Sequence, residues 1–214
     1  MTAVNRKIVL ASRPEPDATL DNFRLEEGPV PTAGPGQVLA RNLYLSLDPY
    51  MRGRMSAAKS YSAPVEIGGT MIGGAVARVE SSTVPGFAPG DIVESMAFGW
   101  QDYAALAPQD LRKIDPDLAP ISTALGILGM PGMTAYFGLL ETARPKAGDT
   151  VVVSAASGAV GGTVCQLARI AGCRVVGIAG GADKCRYVTD TLGADACLDY
   201  RAEDNLQAAL AKAC

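Results

Sequence analysis

Histidine is absent from all 214 residues. That excludes Ser-His-Asp and Cys-His nucleophilic catalysis and any zinc site built on imidazole. Cysteine is sparse: Cys165, Cys173, Cys185, Cys197 and Cys214, none of them in a CxxC pair. An odd number of thiols without secretory features fits a reducing compartment, and the spacing offers no structural metal site. Basic runs are missing and the net charge is −3, so neither nucleic acid nor an acidic membrane surface is an expected partner. No apolar stretch reaches the ~20 residues of a membrane span. Met1 to Arg13 carries no apolar core of signal-peptide type, so a cytoplasmic location is the default expectation.

What is present is a globular composition, with 48% apolar and 19% charged residues. The chain is long for one average domain and short for two. Its character changes near residue 145. Before that point lie short alternating runs punctuated by Gly and Pro: Arg6–Ala11, Phe23–Glu27, Gln37–Leu45, Met71–Glu80, Asp91–Ala97 and Asp102–Ala107. Many short strands at this spacing predict a barrel or sandwich. From Ile121 the pattern turns helical, interrupted by Pro131-Gly132, which predicts a helix from Met133 to about Thr142. After a connector at Pro145–Asp149 comes a βαβαβ alternation. Strands are expected over Thr150–Ala155, Arg174–Ala179 and Ala196–Asp199, and helices over Val160–Ala171, Asp183–Leu192 and Glu203–Ala213. Near-continuous apolar strands separated by helices indicate a parallel sheet covered on both faces. Two domains are thus expected, 1–145 and 146–214.

The run Ala156-Ser157-Gly158-Ala159-Val160-Gly161 follows the first of these strands and opens a helix. Ala156, Gly158 and Gly161 hold the three small-residue positions of a dinucleotide-binding turn. Small residues are required there because the chain turns tightly, a diphosphate approaches the backbone, and the helix packs close to the strand. Such a turn alone is weak; its place between strand and helix strengthens it. The next strand ends in Gly180-Gly181-Ala182-Asp183-Lys184. NAD binding calls for an acid at that strand end, to hold the ribose hydroxyls. A small neutral end with Lys184 nearby, and Arg186 beyond, favours NADP. Asp183 reads more simply as a helix cap or first-turn acid, and Lys184 alone also reads as a solvated helix residue.

Four motifs in order, Ser46–Met55 (SLDPYMRGRM), Gly99–Tyr103 (GWQDY), Gly129–Tyr136 (GMPGMTAY) and Ala155–Gly161 (AASGAVG), resemble the zinc-independent medium-chain dehydrogenase/reductases. The branch they resemble holds the prostaglandin/leukotriene and plant alkenal double-bond reductases. Within it, SYSAPVEIGG, ALGILGMPG and GGADKCR resemble the bacterial NADPH-dependent curcumin/dihydrocurcumin reductases. The resemblance covers essentially the whole chain. It implies a GroES-like β-barrel catalytic domain followed by a Rossmann doubly wound parallel sheet, of which this chain would hold the first half. It implies hydride transfer from NADPH to the β-carbon of an α,β-unsaturated ketone or aldehyde. Carried over by residue, Gly158, Ala159, Val160 and Gly161 would hold the diphosphate, and Lys184 and Tyr200 the 2′-phosphate. Thr134 would lie near the cofactor, and Asp48, Pro49 and Tyr50 beside the nicotinamide and substrate, with no metal.

Relatives continue beyond residue 214, so the chain is expected to be C-terminally truncated. The rest would supply further ribose contacts and the strands of a homodimer. Tyr50 is the candidate donor to the substrate carbonyl, or else a barrel residue with its hydroxyl at the edge. Asp48 and Arg52 are expected to form a structural ion pair. Trp100 and Tyr103 either wall the substrate site or form a core aromatic pair. Met51, Met55, Met71, Met130 and Met133 either line an apolar pocket or fill gaps. A quinone oxidoreductase of the same superfamily is the alternative activity, and a non-catalytic nucleotide-binding fragment the alternative role.

Overall fold

The computed structural model describes residues 3–214, in two compact units: one ends at Leu125 and the other spans Gly126–Cys214. In the first unit, β1 (Val4–Leu10) and β2 (Phe23–Pro29) form an antiparallel pair. Beside them is a five-stranded antiparallel sheet of β3 (Val38–Leu45), β4 (Ala75–Ser82), β5 (Ile92–Ser95), β6 (Tyr103–Leu106) and β7 (Arg112–Ile114). Its order is β6-β3-β4-β5-β7, and β1 reaches Gln101 and Thr70 through isolated bridges. A short helix, α1 (Tyr50–Arg54), lies between β3 and β4 in the chain.

Alternation along the strands builds the core. On β4, Ala75, Ala77 and Val79 are buried while Arg78 and Glu80 face solvent, although Val76, on the same side as Arg78, is buried as well. They pack with Val38, Ala40, Val93, Phe98, Ala104 and Leu106. A second cluster joins Leu10, Met55, Val65 and Met71, with Trp100 and Phe23 packed against it. Burial of each such large side chain stabilises the fold by about 1.5–3 kcal/mol. β4 begins at Ala75 rather than Met71. Before it, Met71 N–H bonds to Ile8, while Met71 and Gly73 accept from Trp100 and Gly99, which takes these groups out of the ladder. β7 is only three residues long, too short to show alternation.

In the second unit, α2 (Met130–Tyr136) continues as a wider π-type turn over Phe137–Ala143. It starts three residues before the predicted Met133. Pro131 sits in the first turn, where no N–H is needed and its fixed φ suits the helix. Gly132 is there for close approach: a Cβ would lie 1.8 Å from the Ile127 carbonyl oxygen. The change of sequence style near 145 and the division of the units at 125/126 do not coincide, because α2 packs against α3 (Ala159–Ile170) of the second unit.

The parallel sheet has the order β10-β9-β8, with β8 at Thr150–Val153, β9 at Arg174–Ala179 and β10 at Ala196–Asp199. Three helices accompany it: α3, α4 (Ala182–Arg186, widening over Tyr187–Thr191) and α5 (Leu206–Ala213). α5 starts later than the predicted Glu203 because Asn205 caps it, accepting from the Ala208 amide at 3.0 Å. Val153, Ala156, Cys165, Ala168, Val175 and Val188 form the core of this unit. Among the described residues no helix is long and apolar enough to cross a membrane.

Candidate functional site

The chain leaves β8 through a turn shaped almost entirely by backbone. Ala156 N–H donates to the Ile178 carbonyl at 3.0 Å, which ties the turn to β9. Gly158 N–H donates to Ala155 O at 2.8 Å, and Gly162 N–H to Gly158 O at 2.7 Å. Ala155 stands at φ +48°, left-handed backbone that costs a non-glycine residue on the order of 1 kcal/mol. A Cβ on Gly161 would lie 2.3 Å from Ala155 O, a main-chain atom that has no rotamer by which to move away. On Gly158 the same contact would be 3.1 Å.

Gly158 is the N-cap of α3 and has no side chain with which to cap it. The amides of Ala159, Val160 and Gly161, the first three of the helix, therefore have no acceptor within it. They combine with the positive end of the helix dipole, so the turn is chemically suited to an anionic diphosphate. Gly158, Ala159, Val160 and Gly161 are thus brought together as one backbone cradle.

At the next strand end the geometry depends on a side chain. The parallel register pairs Asp199 with Ala179, so Gly180 and Tyr200 stand one step beyond the sheet, side by side. Tyr200 N–H donates to Ala179 O at 3.1 Å, and the Tyr200 hydroxyl lies 2.7 Å from where a Cβ on Gly180 would be. Asp199 Oδ1 accepts from the amides of Gly181 (2.7 Å) and Arg201 (3.0 Å). Those two bonds, Gly181's first, hold the Asp199 carboxyl below the usual aspartate range. Gly181, at φ +97°, is the N-cap of α4. Asp183 is a first-turn acid of that helix and its carboxylate is engaged by Arg186, so Arg186 is already partnered. Lys184 is exposed on α4 and forms no ion pair among the described residues. Thr134 is exposed on α2, and its hydroxyl donates to the Met130 carbonyl at 2.7 Å.

Asp48, Pro49 and Tyr50 belong to the first unit. Pro49 opens α1, and the Asp48 amide meets Met51 Sδ at 3.5 Å. Met51 is buried and anchors the turn, which leaves Tyr50 half-buried beside it. Burial, and then the Asp48 charge, push the Tyr50 phenol above its usual value, so it is a protonated donor at neutral pH. The expected Asp48–Arg52 ion pair is absent. Arg52 instead donates to the Pro14 and Pro16 carbonyls, whose fixed positions offer two acceptors together.

Trp100 stacks on Phe23 with ring centres 5.5 Å apart, and Arg41 lies over the Tyr103 ring, so Trp100 and Tyr103 do not pair with each other. The methionines divide: Met51, Met55 and Met71 fill the core, while Met130 and Met133 are exposed. Among the described residues no three His, Cys, Asp or Glu side chains converge as a metal-holding group. Asp199 was not foreseen from sequence, nor was a steric role for Gly180. The available signal was the Asp199-Tyr200 pair closing the third strand.

Residues 6–114 match the family described as the N-terminal domain of oxidoreductase, and residues 159–214 match the one described as zinc-binding dehydrogenase. The chain is 56% identical over 210 residues to the NADPH-dependent curcumin reductase of Escherichia coli, covering 98% of this chain and 60% of that one. It is 47% identical over 179 residues to a 2-alkenal reductase (NADP(+)-dependent) of Nicotiana tabacum, covering 83% and 52%. The CurA protein of Vibrio vulnificus, solved in complex with NADPH, superposes with a TM-score of 0.91 at 50% identity, over 97% of this chain and 61% of that chain. The chain belongs to the zinc-independent medium-chain dehydrogenase/reductases, with a GroES-like N-terminal domain and the start of a Rossmann-like sheet. It spans about three fifths of the length of the curcumin reductase it matches.

Proposed function

We propose that the protein binds NADPH and, in its whole form, reduces the C=C bond of α,β-unsaturated ketones and aldehydes. The observation that carries this reading is the backbone cradle, where a Cβ on Gly161 would meet Ala155 O and the first three amides of α3 have no acceptor within the helix. Gly158, Ala159, Val160 and Gly161 hold the diphosphate, Lys184 and Tyr200 meet the 2′-phosphate, and Thr134 lies near the cofactor. β9 ends in small neutral residues and brings no acid side chain of its own to repel a phosphate.

When bound, NADPH would supply the hydride to the β-carbon and leave as NADP⁺, while solvent would supply the proton that completes the α-carbon. Tyr50 donates a hydrogen bond to the substrate carbonyl oxygen, where negative charge develops as the alkene is reduced. A tyrosine phenol holds its proton at neutral pH, and burial here moves it further in the same direction. Asp48 and Pro49 set the turn from which Tyr50 projects. Homodimerisation of the whole protein belongs to the same reading. Curcumin and 2-alkenals both carry an alkene conjugated to a carbonyl, and the relatives named for them favour an enone over a quinone substrate. The test is a side-by-side assay of 2-alkenones, a diarylheptanoid enone and simple quinones with NADPH and NADH. Enone turnover with NADPH supports the proposal; a preference for quinones, or equal use of NADH, overturns it.

A further inference from the structure

We propose that Gly180 and Tyr200 act as a single coenzyme-selecting unit, in which the Tyr200 ring occupies the space of any side chain at position 180. The inference rests on the reading of this unit as a dinucleotide site and adds to it what holds Tyr200 where a 2′-phosphate would meet it.

Gly180 does not need to be glycine for its backbone. Its φ is outside the left-handed region, unlike its neighbour Gly181 at +97°. What requires its smallness is one ring: the three atoms nearest a Cβ there are Tyr200 Oη at 2.7 Å, Cε1 at 2.8 Å and Cζ at 2.9 Å. The register places that ring, because Asp199 is opposite Ala179 and the Tyr200 amide bonds to the Ala179 carbonyl. Asp199 fixes both sides of the contact. Its carboxylate accepts from Gly181, next to Gly180, and from Arg201, next to Tyr200.

Tyr200 is 52% exposed, so a side chain at 180 would push the ring outward rather than unfold the sheet. The loss is therefore one of position: the hydroxyl leaves the strand end where it stands ready to bond a 2′-phosphate. Affinity for the phosphorylated ribose then depends on the Gly180–Tyr200 contact.

The test is a double-mutant cycle on the protein, titrating 2′,5′-ADP and 5′-AMP into wild type, G180A, Y200A and G180A/Y200A by calorimetry. Wild type is expected to prefer 2′,5′-ADP. G180A should lose about tenfold of that affinity, the size of one hydrogen bond to a charged group, with 5′-AMP unchanged. The double variant should bind no worse than Y200A, since the clash has gone. A G180A loss that persists in the Y200A background, or no loss beside Tyr200, overturns the inference while leaving the coenzyme site intact. Equal affinity of wild type for the two nucleotides, or no binding of either, overturns the coenzyme reading and this inference with it. Should G180A not fold, rescue of folding by Y200A supports the contact and failure of rescue overturns it.

Discussion

The turn after β8 and the turn after β9 both meet a coenzyme in the proposed reading, yet they are built from different material. The first is made of main chain: Ala155 O closes on Gly158 N–H, and the space at Gly161 is bounded by a carbonyl oxygen that cannot move aside. The second is made of side chains. Asp199 holds the Gly181 amide, Tyr200 covers Gly180, and Lys184 stands on the next helix. A main-chain turn tolerates almost no change and recognises what every dinucleotide has. A side-chain turn can be altered without loss of the fold, and there the choice between dinucleotides can be made.

That contrast can be broken by substitution. The largest effect is expected for Gly161→Ala, which sets a Cβ against Ala155 O. NADPH affinity should fall by about a hundredfold or more, equally for NADH, in a fluorescence titration. Lys184→Ala should weaken NADPH by roughly tenfold to a hundredfold and leave NADH little changed. Equal loss for both coenzymes would remove Lys184 from the phosphate side. Tyr50→Phe, outside both turns, should lower kcat/KM for enones on the order of tenfold to a hundredfold with coenzyme affinity unchanged.

Asp199 gives an acid dependence with a definite sign. Its carboxyl is depressed in the folded state, so the stability it contributes is present above the ordinary aspartate pKa, about 4. That contribution is lost as pH falls through the lower folded value. Asp199→Asn should flatten the stability profile below about pH 4 in denaturant titrations, whereas an unchanged profile would deny the carboxylate this role. The smallest effect is expected at Asn205→Ala, away from both turns: about 1 kcal/mol of stability from the lost α5 cap, with no change in coenzyme binding.

The first turn was legible in the sequence because its requirements are local. Small residues at Ala156, Gly158 and Gly161, between a valine-rich strand and a helix, announce it directly. β9 and β10 likewise match their predicted limits, since each is a short apolar run between helical segments. The second turn was legible only in part. Gly180 showed as small and neutral, but its contact with Tyr200 spans twenty residues and exists only through the Asp199–Ala179 register. Pro131-Gly132 misled for a related reason. Glycine reads as a break until Ile127 O is seen against it, and proline as an end until it is seen in a first turn. The fate of Arg52 depends on the Pro14 and Pro16 carbonyls, far away in sequence.

Among the described residues β9 is the one strand of the parallel sheet with a neighbour on each side, while β8 is bonded to β9 alone. Deuterium should therefore enter the Val175–Gly177 stretch of β9 last among these three strands, so that the strand closing the second turn is held by both of its neighbours.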